Sequence, residues 1–132
     1  MSNEKTLQFT FSLDEPELED EQRLKFAKKL LRELRNLDEV EKADHTEDLT
    51  PEAGSKPGFA TLLGSITALV HVKDIKAFLG FLGDRLQDKP IKGRIKVGEN
   101  EVEFEVKSRR ELAELEKTAL KLLSAMGGDQ SA

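Results

Sequence analysis

The residues best placed to do chemistry lie late in the chain, where Ser108, Arg109 and Arg110 follow Lys107 and open a segment with a helix-start signature. Arginine at a helix N-terminus opposes the positive end of the dipole, so the helix itself gives it little reason to be there. A bound anion or an acidic partner would supply one, and these three residues are the candidate anion or partner contact. The bland alternative is a solvated pair balanced by Glu111 and Glu114. His45 lies in Asp44-His45-Thr46-Glu47-Asp48, a run of ligand-type side chains. One histidine among loop acids lacks the converging donors of a metal site and reads as a solvated loop. His71 ends an apolar run and reads as an interface or core histidine rather than a base. No nucleophile elbow, phosphate loop or dinucleotide fingerprint occurs. The expectation is therefore no catalytic residues, no metal and no cofactor, in a protein that is not an enzyme.

Composition narrows the classes further. The 132 residues carry 21 basic and 26 acidic side chains, a net charge of −5, which argues against a general nucleic-acid binder. Cysteine is absent, which removes disulfides, thiolate zinc sites and cysteine nucleophiles and fits a reducing, cytoplasmic setting. Met1–Lys5 runs straight into an alternating stretch and reads without a leader peptide. The charge-free run Pro57–Val72 is too short and interrupted to span a bilayer, so no membrane role is expected.

Several elements must position these residues. Leu7, Phe9, Phe11 and Leu13 alternate with polar residues and predict a strand over Thr6–Leu13. Over Glu17–Leu37 the three-four spacing of Leu24, Ala27, Leu31 and Leu34 predicts an amphipathic helix whose first turn is acidic. A short strand near Val40–Asp44 follows, then a proline- and glycine-containing loop over Thr46–Gly58. Phe59, Leu62, Leu63, Ile66, Leu69 and Val70 then recur with helical spacing and predict a buried helix. Asp74 is placed to cap another over Ile75–Leu86, separate from the first or joined to it by a kink.

Gly64, Gly80 and Gly83 fall inside these two helices, where each costs about 1 kcal/mol against alanine, so close packing, a hinge or a partner contact should offset them. Ile91, Ile95 and Val97 alternate with Lys92, Arg94 and Lys96; after Gly98-Glu99-Asn100, Val102, Phe104 and Val106 alternate with Glu101, Glu103 and Glu105. This is a hairpin. A two-residue turn at Gly98-Glu99 sets Lys96, Arg94 and Lys92 opposite Glu101, Glu103 and Glu105, and a four-residue turn keeps the faces segregated with shifted pairs. Ser108 and Glu111 then form a capping box, and Leu112, Leu115, Ala119, Leu122, Leu123 and Met126 the buried stripe of a closing helix that Gly127 stops.

The order β-α-β-α-α-β-β-α predicts one α+β domain over residues 1–132, with a structured core at 6–126 and loose termini at 1–5 and 127–132. Its expected form is a two-layer sandwich: a four-stranded mixed sheet with three to four helices mainly on one face, opening with a right-handed parallel β-α-β crossover.

This layout resembles the effector-associated constant component family of bacterial conflict and signalling systems. The matching features are Leu30-Leu31-Arg32-Glu33-Leu34-Arg35 in the first helix, Pro57-Gly58-Phe59 opening the apolar segment with Leu63-Gly64-Ser65, and the charged hairpin before the closing helix. The resemblance implies a small, non-enzymatic partner of effector modules. The leading expectation is an adaptor or regulatory component that binds a cytoplasmic protein. The alternative is a small-molecule or anion sensor using the N-terminus of the last helix. Homodimerisation through helices or a strand edge stays open.

Overall fold

The computed structural model describes residues 5–46 and 64–127, with side chains through residue 124. Five strands, β1 (Thr6–Leu13), β2 (Val40–His45), β3 (Ile66–His71), β4 (Ile91–Val97) and β5 (Asn100–Val106), form one sheet in the order β2-β3-β1-β4-β5. Every neighbouring pair is antiparallel. Three α-helices are described: α1 (Asp20–Leu34), α2 (Ile75–Leu86), entered through a 3₁₀ turn at Val72–Asp74, and α3 (Arg109–Gly127).

The four-stranded mixed sheet is therefore corrected to five antiparallel strands. β1 and β2 do run in the same direction, but β3 lies between them and pairs with both. The missing strand is β3, which the helical spacing of Ile66, Leu69 and Val70 disguised. It sits second from one edge, between β2 and β1, and residues on both of its faces are buried. Ile66, Ala68 and Val70 enter the core while Thr67 is buried on the opposite side. A short apolar run of this kind does not declare its period. The segment before α2 is thus a strand, which disposes of a kinked double helix. The expected start of that helix at 59–63, the loop over 47–58, and Pro57-Gly58-Phe59 lie outside the described residues.

Other expectations hold in part. The hairpin takes the two-residue turn, with Lys96, Arg94 and Lys92 opposite Glu101, Glu103 and Glu105. Gly98 has φ 61° at the first central position, as a II′ turn requires. In α1, Ala27, Leu30, Leu31 and Leu34 are buried, but Leu24 is 40% exposed and leaves the core stripe. Leu112, Leu115 and Ala119 of α3 are buried, with Leu122 and Leu123 partly so; the side chain of Met126 lies outside the described residues. Asp74 precedes α2, but its carboxylate makes no capping hydrogen bond.

All three helices cover one face of the sheet. Phe78 of α2 meets Phe9 edge-on at 5.2 Å between centroids, Ala27 and Leu30 of α1 lie beside Phe11 and Ile66, and α3 packs beside α2 over β4 and β5. Phe104 of β5 reaches Phe9 of β1 at 5.2 Å although β4 separates their strands. Gly93, the register partner of both Phe11 and Phe104, leaves the slot through which that contact passes. A Cβ on Gly93 would overlap the carbonyl oxygen of Thr10 and sit 2.8 Å from Phe11 Cα, so nothing larger fits.

Candidate functional site

The face opposite the three described helices carries a polar row running straight across all five strands, with Asp44, Thr67, Thr10, Arg94 and Glu103 in register. Thr46 and Ser65 join it. Their hydroxyls form a chain, Ser65 Oγ to Thr46 Oγ1 at 2.7 Å, Thr46 to Thr67 at 3.1 Å and Thr67 to Thr10 at 2.9 Å. All four are buried, so each hydroxyl is satisfied by the next, as burial demands. Arg94, also buried, places Nη1 3.6 Å from Glu101 Oε2. No nucleophile–base–acid geometry arises from this row, whose hydroxyls bond one another and whose one cation faces a carboxylate.

The expected anion contact is answered from within the chain. Gln87 and Asp88 adopt left-handed backbone after α2, with φ 49° and 67°, and this turn brings Asp88 to the start of α3. Asp88 Oδ1 accepts the Arg109 N–H at 2.6 Å, and the Arg109 guanidinium lies 3.7 Å from Asp84. Glu111 N–H donates to Ser108 Oγ at 3.1 Å, while the Glu111 carboxylate accepts from Lys107 N–H at 2.7 Å, so the capping box closes one residue early. Arg110 is exposed. The structure thus gathers Arg109 with Asp84 and Asp88, and Ser108 with Glu111.

The two histidines do not converge. They lie at opposite ends of the strand pair β2-β3, His45 beside Ile66 and His71 beside Thr6. His45 lines a shallow depression with Lys28, Arg32, Arg35 and Asn36. Among the described residues no group of three or more His, Cys, Asp or Glu could hold a metal ion. Nor is any described helix long and apolar enough to cross a membrane. Of the three glycines, Gly64 precedes β3 at φ 81° against α1, and Gly83 makes room for the Arg109 stem 3.0 Å from where a Cβ would stand. Gly80 faces open space and has no packing reason.

What sequence reasoning did not find is a contrast between the two sheet edges. On β2 the Arg35 guanidinium bonds the carbonyl of Ala43 through Nε at 3.0 Å and Asp44 through Nη2 at 3.0 Å. The ladder also slips between Val40 and Lys42. Bulges and charged side chains of this kind are how proteins close an edge. β5 carries charged side chains too, but it has no bulge and, among the described residues, no side chain bonded to its outward backbone groups. It runs seven residues in unbroken register with β4. Its turn makes Val97–Asn100 a hydrogen-bonded pair, so the alternation puts Val102, Phe104 and Val106 in bonded pairs with β4 and turns the N–H and C=O of Glu101, Glu103 and Glu105 outward. Among the described residues nothing bonds those outward groups. The three glutamates are exposed, while Val102 and Phe104 are half-buried at the margin of the core.

Against this geometry, comparison with known proteins adds no relative: no family model, no curated protein and no solved structure matches the chain.

Proposed function

We propose that this protein is a non-enzymatic adaptor or regulatory component that docks another protein by strand addition on β5. The observation that carries the reading is the asymmetry of the edges, one closed by Arg35 and a bulge, the other regular and, among the described residues, open. Strand addition takes affinity from backbone hydrogen bonds and specificity from alternate side chains. Here the incoming strand would meet Glu101, Glu103 and Glu105 on one face and extend the apolar margin of Val102 and Phe104 on the other. The chain already holds the template for such a strand in β4, where Lys92, Arg94 and Lys96 alternate with Ile91, Ile95 and Val97. A partner strand of alternating basic and apolar residues fits this edge. A second β5 does not, because it would set glutamates against glutamates.

The sequence resemblance to the effector-associated constant component family, carried by Leu30–Arg35 and the charged hairpin before the closing helix, favours an effector of a bacterial conflict or signalling system as the partner, in the cytoplasm, although the apolar segment it matched as a helix ends in the strand β3. Anion sensing at the start of α3 draws less support, because Asp88 already accepts the Arg109 N–H.

The test is reciprocal purification with the product of a neighbouring gene, using wild type and Glu103→Pro. Proline at 103 removes an outward N–H and leaves every ladder bond, so the fold should survive. Capture of that product by wild type and its loss in Glu103→Pro are expected. A chain that stays without a partner, or capture indifferent to Glu103→Pro, counts against the reading.

A further inference from the structure

We infer that a second copy of this chain docks antiparallel along the exposed ridge of α1. The ridge is Asp20, Leu24, Lys28 and Arg32, each four residues from the last and each exposed. Its charge is ordered, with a carboxylate at one end, an apolar side chain next, then two cations. Among the described residues Asp20, Lys28 and Arg32 enter no ion pair.

An acidic start and a basic end suit the dipole of any helix, so charge order alone would mean little. Leu24 is what the dipole leaves unexplained. It has the spacing of a core residue, yet it is 40% exposed, one of two large apolar side chains left so among the described residues. Turning the ridge about a two-fold axis between Leu24 and Lys28 makes it complementary to itself. Asp20 then meets Arg32 of the second copy, and Leu24 meets the alkyl stem of Lys28, with both contacts repeated by symmetry. The two Asp–Arg pairs stand about 18 Å apart along the axis, one on each side of the covered leucines. A contact built on one helix face belongs to the small, weak class, so the dimer forms with rising concentration.

Sedimentation of the full chain, from low micromolar to about 1 mM, tests this, since weak dimers dissociate within that range. The mass should move from monomer towards dimer, and high salt should weaken the association. Asp20→Arg and Arg32→Asp should each weaken it at least about tenfold, because symmetry doubles every repulsive pair. The double variant Asp20→Arg plus Arg32→Asp restores the pairs and should return the dimer to near wild-type strength. A monomer throughout overturns the inference, and so does a dimer that ignores the single reversals or is not rescued by the exchange. Glu103→Pro separates this contact from the β5 edge: self-association should be unchanged in that variant, and a dimer lost with it would lie on β5 instead.

Discussion

The two edges of this sheet solve the same physical problem in opposite ways. Any outer strand presents backbone N–H and C=O groups that another chain could pair with. At β2 the neighbouring helix answers this. The last turn of α1 hands Arg35 to the Ala43 carbonyl, and the irregular register between Val40 and Lys42 breaks the template. At β5 the same groups are presented at regular intervals, flanked by carboxylates that discourage a like-charged strand and welcome a basic one. The proposed strand addition rests on this difference between the two edges among the described residues.

The largest perturbation would be Gly93→Ala, which forces β4 away from β1 and removes the platform that β5 stands on. A stability loss of about 3 kcal/mol or more is expected in chemical denaturation, since the obstacle is backbone. Neighbouring prolines on β5 sharpen the contrast between inward and outward groups. Val102→Pro deletes an N–H that bonds β4 and should cost about 3 kcal/mol. Glu103→Pro deletes an outward one and should cost about 1 kcal/mol or less by the same measurement. Equal losses would mean that the assigned alternation is wrong. Arg35→Ala would open β2, at a cost of about 1 kcal/mol for a partly exposed charged hydrogen bond. It should also add concentration-dependent aggregation visible by light scattering. Gly80→Ala lies far from both edges, in a helix position with free space, and should raise stability by about 0.5–1 kcal/mol.

Much of this arrangement was legible in the residues. The hairpin was legible because polar and apolar side chains alternate on both sides of Gly98-Glu99; that pattern left a two-residue or a four-residue turn, and the structure takes the two-residue one. β3 was hidden because burial on both sides replaced alternation with an apolar run, next to Phe59, Leu62 and Leu63, which completed a helical period. Leu24 fitted the stripe of α1 by spacing alone, and spacing does not reveal where a helix runs past the edge of its core. At the candidate contact of Ser108, Arg109 and Arg110, the internal partners of Arg109, Asp84 and Asp88, come from the end of another helix and could be found only in three dimensions. The open edge was beyond sequence for the same reason: which strand is outermost depends on pairing order, and the Arg35 contact with Ala43 is tertiary.

The most direct measurement is residue-resolved amide hydrogen exchange on β5, first in the free chain and then with the co-purified partner. In the free chain the amides of Glu101, Glu103 and Glu105 should exchange quickly beside slow Val102, Phe104 and Val106, and the partner should slow those three. Protection of the glutamate amides in the free chain, or a partner that protects another surface and leaves them fast, would contradict an edge held open for docking.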